Sequence, residues 1–236
     1  MKKIPTLFKR VFSPDHKTKT ILPEVTPGCE AVLEGLCIPT VKWDGACCAI
    51  INGEIYKRYD AKVGKNGKQK LPPEGAIPCQ PEPDPITGHW PHWVKCDPAN
   101  PADQYFLEAY KNKWDAWQKR IGVFGQLVLS LPDGTYEAIG PAWQSNPHNL
   151  THNTLVLHGV DMCIELARIC AHGGRLTFEF IRDYLSRTDI EGIVFWEPQS
   201  KYIKGSDTAY DILHKSTPLC KIKRSDFGFE WPVKSK

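Results

Sequence analysis

The chain has 236 residues, of which 41% are hydrophobic and 24% are charged, and its formal net charge is +3. A chain of this length can bury a sizeable core, and the composition is that of a globular protein rather than a disordered or fibrous one. The charge permits nucleic-acid binding but is too small to indicate it. The sequence therefore predicts one large domain, or one domain with a small appendage.

The nine cysteines are unevenly spaced, and Cys47 and Cys48 are adjacent in an apolar run. This odd number favours reduced thiols over a disulfide framework. Basic residues interrupt the apolar residues of the first twelve positions, so we expect no signal peptide, and no apolar run is long enough to span a membrane. We therefore expect a cytoplasmic protein.

The first 38 residues are basic and then punctuated by prolines. They predict little beyond short extended pieces such as 31–38, and we treat 1–38 as an N-terminal extension. The remainder, 39–236, is assigned to one domain.

A β-hairpin is predicted around Asn52-Gly53. The apolar run 42–51 predicts one strand and the run 54–59 its return, because Asn-Gly between two apolar runs is a strong hairpin signal. Arg58 is then expected on the strand paired with the one that Lys42 begins. Lysine is seldom buried without a partner, so Lys42 either reaches solvent or is held in a pocket for chemistry.

Two long segments follow this hairpin. Residues 62–70 predict a basic loop, which is either solvated or in contact with a phosphate backbone. Residues 72–101 are rich in proline and predict an irregular segment anchored by Trp90 and Trp93. The spacing C-x9-H-x2-H-x3-C within it matches no common zinc pattern, so we do not predict a metal there. The residues concerned are Cys79, His89, His92 and Cys96.

Two helices are predicted. The first covers 103–120, with an acidic start, a basic end and an aromatic stripe that we assign to core packing rather than to base stacking. The second has Thr177 as its N-cap and Glu179 in its first turn, and it ends near 185. The stripe of the first helix consists of Phe106, Leu107, Tyr110, Trp114 and Trp117.

Short apolar runs predict further strands, two of which carry charged residues near their ends. Glu137 lies in one of the earlier strands, and Glu191 introduces a later one. Lys221 and Lys223 share one face of the last strand, because side chains alternate along a strand. A polar loop is predicted over 197–218. The strands cover 123–131, 135–139, 155–157, 191–196 and 219–224.

The late lysines suggest chemistry at phosphorus. Like charges on one strand face repel unless an anion lies between them, and phosphate is the obvious anion. If Lys221 and Lys223 meet Lys42, the cationic neighbourhood should lower the pKa of Lys42 from its usual ~10.4 and leave a neutral amine. Such an amine can attack phosphorus. Glu137 and Glu191 would divide the binding of a divalent metal and of ribose hydroxyls between them.

Four short motifs follow one another along the chain. They are Lys42-Trp43-Asp44-Gly45, Glu137 within Tyr-Glu-Ala-Ile-Gly, Glu191-Gly192-Ile193-Val194 and Lys221-Ile222-Lys223. In this order they resemble motifs I, III, IV and V of the covalent nucleotidyltransferases, which include polynucleotide ligases and mRNA capping enzymes.

Further motifs resemble the small vertebrate-type 5′-to-3′ ATP-dependent RNA ligase family. They are Pro39-Thr40, Asp44-Gly45-x-Cys47-Cys48, Gly-x3-Gln-x-Asn-Pro at 140–147, His158-Gly159, and Lys-Ile-Lys-Arg-x-Asp-Phe-Gly-x-x-Trp-Pro ending at Pro232. The resemblance covers about 39–232. It implies an α+β nucleotidyltransferase (adenylation) domain of two antiparallel β-sheets flanked by helices, with ATP in the cleft between them. This is an ATP-grasp-like ligase core without a C-terminal OB domain.

The resemblance also implies roles for individual residues. Lys42 would be the nucleophile that receives AMP, and Lys221 with Lys223 would hold the α-phosphate. Glu191 would help to coordinate Mg²⁺ or Mn²⁺. Glu137 would bind the ribose. The other nucleotide contacts are assigned to Thr40, Val41, Asp44, Gly45, Arg58 and Val194.

Some of these roles have alternatives. Arg58 would touch either the ribose or the end to be joined, and either Val194 or Ile193 would pack on the base beside Thr40 and Val41. His148 and His158 either line the site or are structural.

We therefore expect an ATP-dependent RNA ligase that joins 5′-phosphate and 3′-hydroxyl RNA ends through lysyl-AMP and an adenylylated 5′ end, with a role in RNA repair. The alternatives are a capping-type guanylyltransferase, a DNA ligase-like adenylyltransferase, and a nucleotide- or nucleic-acid-binding module without transfer. Cys47 stands where DNA ligases usually have arginine, which favours the RNA ligase. We expect a monomer that binds RNA through its basic segments and does not bind a membrane; these segments are the N-terminus, 62–70 and 201–204.

Overall fold

The structure is a computed structural model that describes residues 4–14, 19–62, 70–85, 87–121, 130–197 and 217–233. Over these residues the fold is mixed α and β with antiparallel sheets, which confirms the predicted α+β class. The chain forms two compact units, one from 44–158 and the other from 4–43 with 159–236. No helix in the described ranges is long and apolar enough to cross a membrane.

The elements are named here in chain order. The strands are β1 (Phe8–Phe12), β2 (Lys19–Val25), β3 (Ile38–Lys42), β4 (Ala46–Ile51), β5 (Glu54–Lys62), β6 (Ile77–Pro78), β7 (His89–Lys95), β8 (Gly134–Ile139), β9 (Thr154–Leu157), β10 (Gly192–Trp196) and β11 (Pro218–Lys223). The α-helices are α1 (Glu30–Leu33), α2 (Gln104–Ile121), α3 (Ile164–Ala171) and α4 (Phe178–Arg187).

The unit formed by 44–158 contains a six-stranded sheet in the order β6-β7-β5-β4-β8-β9. One face of this sheet is buried through side chains such as Cys48, Tyr136 and Leu155, and the aromatic stripe of α2 packs against it. The assignment of that stripe to core packing is therefore confirmed. Asn52 and Gly53 form the turn between β4 and β5 with positive φ angles, so the predicted hairpin turn is also confirmed.

The second unit contains the three-stranded sheet β11-β10-β3 and the hairpin β1-β2. Its core joins one face of the sheet to α3 and α4 through fully buried residues such as Leu166, Ile181 and Ile193. Thr177 caps α4 as predicted, because its hydroxyl accepts a hydrogen bond of 3.1 Å from the N–H of Phe180.

The predicted strand 42–51 is wrong at its start. Lys42 ends β3, and β4 begins only at Ala46. Gly45 lies so close to β8 that a Cβ atom there would be 2.1 Å from the carbonyl oxygen of Ala138, so the chain turns before it enters the larger sheet. Arg58 lies opposite Trp93 on β5, a strand that pairs with β4 and β7, whereas Lys42 belongs to a different sheet.

Two other predictions are corrected. Residues 31–38 were expected to be extended, but 31–33 belong to the short helix α1. Residues 72–101 were expected to be irregular, yet β7 forms a regular strand in which His92 and Trp93 are buried. Pro91 conceals this strand in the sequence, because proline usually argues against a sheet interior. Most of the predicted strand 123–131, and nearly all of the predicted loops 62–70 and 197–218, lie outside the described residues.

Candidate functional site

Three lysines lie on one face of the sheet β11-β10-β3. Gly192 on the central strand pairs with Lys42 on one side and Lys223 on the other, and two residues along, Val194 pairs with Thr40 and Lys221. Residues two apart on a strand share a face. The face that carries these lysines is called the lysine face below. The opposite face, through Val41, Ile193 and Ile222, contributes to the core.

Glu191 joins two of the lysines. Its Oε2 accepts a hydrogen bond from the Nζ of Lys42, and its Oε1 accepts one from the Nζ of Lys223. The Glu191 side chain is only 5% exposed, whereas those of Lys42 and Lys223 are 19% and 31% exposed. The carboxylate therefore holds both ammonium groups in place and neutralises one of the two charges.

Lys221 differs from the other two lysines because it forms no ion pair with any described residue. Burial, together with the nearby charges of Lys42, Lys223 and Arg10, lowers its pKa to about 8, although the carboxylate of Glu191 opposes the shift. Lys221 was predicted to bind phosphate, and its lowered pKa is an observation that the sequence did not predict. An anion such as phosphate would relieve this excess of positive charge.

Gly192 allows the lysines to approach across the sheet. A Cβ atom at this position would lie 2.2 Å from the carbonyl oxygen of Ile222 and 2.9 Å from the Cα of Lys223. Any side chain would therefore collide with β11, so a glycine is required between Lys42 and Lys223.

Thr40 and Val41, which were predicted to flank the adenine, form hydrogen bonds within their own unit, and their contact with a nucleotide stays a prediction. The Thr40 hydroxyl donates to the carbonyl oxygen of Val194 at 3.3 Å and accepts from the Trp196 indole N–H at 2.8 Å. The backbone N–H of Val41 donates to the Asp161 carbonyl oxygen at 2.7 Å. Of the two candidates for packing on the base, Ile193 is fully buried in the core and only Val194 lies on the lysine face.

Within the other unit, Glu137 lies on β8 opposite Cys47 of β4. Its Oε1 accepts a hydrogen bond of 3.1 Å from the N–H of Gly45, and its Oε2 lies 3.0 Å from the Nε2 of His158. The His158 Nδ1 lies 3.0 Å from the hydroxyl oxygen of Thr135. Glu137 therefore fixes the turn that follows Lys42 in sequence, and His158 orients Glu137.

The remaining predicted residues of this unit have local partners. The N–H of Asp44 donates to the Nε2 of His148 at 3.2 Å, which gives this histidine a role in the turn. The Nε of Arg58 donates to Asp60 at 2.9 Å, and the side chain of Arg58 is 26% exposed. The roles of Arg58 and Asp44 in nucleotide binding stay predictions.

The described residues contain no group of three or more His, Cys, Asp or Glu side chains that could hold a metal ion. Both oxygens of Glu191 already accept hydrogen bonds from lysines. The protein side chains described here therefore do not form a metal site by themselves, and Glu191 as a metal ligand stays a prediction.

Arg10 and Asp226 contact the site but were not predicted from the sequence. Arg10 on β1 donates from Nη2 to the Oδ1 of Asp226 at 2.7 Å, and the Oδ2 of Asp226 accepts the N–H of Lys223 at 2.9 Å. Asp226 stands three residues after Lys223, within the motif Lys-Ile-Lys-Arg-x-Asp-Phe-Gly, which is a signal that could have pointed to it. Nothing in the sequence around Arg10 marks it.

The chain was compared with known proteins. No family model matches it, and a search of the curated proteins finds no match.

Proposed function

We propose that this protein is an ATP-dependent RNA ligase of the covalent nucleotidyltransferase type, with Lys42 as the nucleophile. One observation carries the proposal: Lys42, Lys221 and Lys223 share a sheet face, and Glu191 contacts two of them. The order of the four motifs in the sequence supports the same assignment. The nucleotidyltransferase fold itself is part of this proposal.

The first step would transfer AMP to Lys42. The Nζ of Lys42 loses a proton to Glu191, with which it is in contact, and then attacks the α-phosphorus of ATP. The N–P bond forms as the bond from the α-phosphorus to the bridging oxygen breaks, and pyrophosphate leaves with that oxygen. Lys221 and Lys223 neutralise the α-phosphate, so catalysis depends mainly on position and charge.

The next two steps would join the RNA ends. An oxygen of the 5′-phosphate of one RNA attacks the phosphorus of lysyl-AMP, and the N–P bond breaks as the Lys42 amine takes a proton. The 3′-hydroxyl of the other RNA then loses its proton and attacks the phosphorus of that 5′-phosphate, and AMP leaves. Glu137 is proposed to bind the ribose hydroxyls through the carboxylate that now accepts from Gly45 and His158. Val194, half-buried on the lysine face, is proposed to pack on the adenine.

A divalent ion belongs to this chemistry because it neutralises a polyphosphate. Mg²⁺ commonly keeps several waters and is bound by one or two carboxylates together with substrate phosphates. We therefore propose that Mg²⁺ or Mn²⁺ enters with ATP. The described side chains do not provide a site for the ion alone.

RNA with 5′-phosphate and 3′-hydroxyl ends is the proposed partner, and RNA repair in the cytoplasm by a monomer is the proposed setting. Lys42 is the residue on which these assignments depend, because each of them assumes a ligase that carries AMP.

The test is covalent labelling. The purified protein is incubated with α-labelled ATP or GTP and a divalent ion, and the modified residue is mapped by mass spectrometry. We expect one AMP on Lys42, no GMP, and complete loss of the label in K42A. Lys95→Ala is the matched control, because Lys95 is an exposed lysine that also pairs with a carboxylate, that of Glu54.

Other outcomes would replace the proposal. Transfer of GMP would indicate a guanylyltransferase. Sealing of DNA in preference to RNA would indicate a DNA ligase-like enzyme. Nucleotide or RNA binding without any covalent label would indicate a binding module.

A further inference from the structure

The N-terminal segment lies beside the strand that carries two of the site lysines. The N–H of Leu7 donates to the carbonyl oxygen of Lys221 at 2.8 Å, and the N–H of Lys221 donates to that of Pro5 at 3.0 Å. Strand β1 begins directly after this contact and carries Arg10. Residues far apart in sequence are therefore adjacent at the edge of the lysine face.

Arg10 is tied to the end of β11 through Asp226. The Asp226 side chain is fully buried, and its two oxygens accept from the Arg10 guanidinium and from the backbone N–H of Lys223. The side chain of Arg10 is 27% exposed. One acceptor thus fixes both the guanidinium and the strand end that carries Lys223.

The charge of Arg10 is not fully compensated. Its Nε is buried and has no hydrogen-bond partner among the described residues, and its charge contributes to the lowered pKa of Lys221. Among the described residues, the four cations Arg10, Lys42, Lys221 and Lys223 form ion pairs with two carboxylates, those of Glu191 and Asp226, so two positive charges are in excess there. A buried donor without a partner is unfavourable. An anion with several oxygens would neutralise the excess charge and accept a hydrogen bond from the Arg10 Nε.

We propose that Arg10 binds the phosphates that leave as pyrophosphate, the β- and γ-phosphates of the nucleoside triphosphate. This inference depends on the proposed function, in which Lys42 attacks the α-phosphorus. In that reaction Lys221 and Lys223 bind the α-phosphate. The leaving pyrophosphate therefore needs another cation to neutralise its charge. A guanidinium suits this task, because its planar fork can bind two phosphate oxygens at once.

Binding of inorganic pyrophosphate and tripolyphosphate tests this inference without any chemistry at Lys42. Calorimetry would compare the wild type with R10Q, R10K and K9Q at low salt. We expect R10Q to bind both anions at least about tenfold more weakly, in line with a lost charge-assisted hydrogen bond. R10K should be intermediate, because an ammonium keeps the charge but not the fork. K9Q is the matched control, since Lys9 is on the same strand, is exposed, and pairs with Glu24.

Unfolding of a variant would also weaken its binding of pyrophosphate. It has to be checked, because substitution of Arg10 leaves the buried Asp226 without this ion-pair partner. Thermal unfolding of each variant checks for it, and R10K decides if R10Q does not fold: weaker pyrophosphate binding by R10K supports the inference, and unchanged binding overturns it. The inference is also overturned if folded R10Q binds pyrophosphate as the wild type does, or if the wild type binds none. Weaker binding of a 5′-phosphorylated RNA oligonucleotide alone would assign Arg10 to the RNA end instead.

Labelling of Lys42 by ATP tests the ligase assignment independently of the pyrophosphate site at Arg10. A labelled wild type with Arg10-independent pyrophosphate binding would remove only this inference. An unlabelled wild type with Arg10-dependent pyrophosphate binding would remove the ligase assignment and leave a polyphosphate site.

Discussion

Lys221 is the least favourable charge on the lysine face of the folded protein. Lys42 and Lys223 share the carboxylate of Glu191, whereas Lys221 forms no ion pair with a described residue and is close to three other cations. Stability alone would favour an apolar residue at this position. Its presence is understandable if the protein binds an anion there, because functional sites retain unfavourable groups.

The first prediction concerns the substitution Lys221→Met. The pKa of Lys221 is 10.5 without perturbation and about 8 in the folded protein. Below pH 8 the residue is charged in both states, so the folded state bears the full penalty. Between these values the unfolded state binds more protons, so the free energy of unfolding of the wild type rises with pH. K221M should therefore be more stable at pH 7, by about 1–3 kcal/mol, and this advantage should vanish near pH 10.5.

Urea unfolding of both proteins at several pH values measures this difference. Lys9→Met is the control, because Lys9 is exposed and its replacement should change stability by at most about 0.5 kcal/mol at any pH. If K221M is less stable than the wild type at pH 7, Lys221 has a stabilising partner and the charge argument is wrong.

Among single residues, the sequence indicated the three lysines and Glu191 as site candidates, because their residue types and the order of their motifs are visible in it. It could not identify the pairing of Arg10 with Asp226, which are 216 positions apart. The sequence also does not tell which of the ammonium groups the carboxylate of Glu191 reaches.

At the level of elements, β10 determines the geometry of the lysine face. It is the central strand, and its first residue, Gly192, lies between Lys42 and Lys223. Strands are spaced about 4.8 Å apart, so two lysines on either side of a central strand are about 10 Å apart at their backbones. Their long side chains can then meet at Glu191, which directly precedes this strand.

The second prediction is that Gly192→Ala separates β10 from β11. The added Cβ would lie 2.2 Å from a backbone oxygen of Ile222, which cannot move without its strand. We expect a loss of about 2–4 kcal/mol in stability, as for other overpacked sites, together with loss of AMP labelling. Thermal unfolding and the labelling assay measure the two effects.

Gly173→Ala serves as the control. Gly173 has a positive φ angle of 71° but open space around its Cβ position, so alanine should cost only about 1 kcal/mol and leave labelling intact. Equal losses for the two variants would show that backbone conformation, rather than the approach of the two strands, accounts for the effect.

The elements were predictable where local chemistry determines them. Asn52-Gly53 indicated its hairpin, and Thr177 its helix. The end of β3 at Lys42 was not predictable, because the apolar pattern continues into β4 and only the approach of Gly45 to Ala138 separates the two strands. Helix α3 was also missed, since its eight residues carry no side-chain cap.

At the level of the whole molecule, the cysteine pattern predicted reduced thiols rather than a disulfide framework. All nine cysteines are free, and six of them are buried. The two units each have their own core, and these cysteines contribute to both cores as small apolar residues. Burial raises the pKa of every thiol, for example to about 12 at Cys47.

The last prediction follows from this burial. The thiolate is the form that reacts, and a rise in pKa from 9.0 to about 12 leaves about 10³-fold less of it at a given pH. We expect a disulfide-exchange reagent at pH 7.5 to modify at most the three half-buried cysteines of the native protein, and these slowly. They are Cys47, Cys79 and Cys170. The same reagent in denaturant, without any reductant, should modify all nine.

Two substitutions make this count specific. Cys170→Ser should lower the native count by one, whereas Cys29→Ser should leave the native count unchanged and lower only the count in denaturant, because Cys29 is 1% exposed. Fewer than nine reactive thiols in denaturant would reveal a disulfide and contradict the reduced state. Rapid modification of all nine in the native protein would mean that the cores open easily, because buried thiols react only when the structure around them opens.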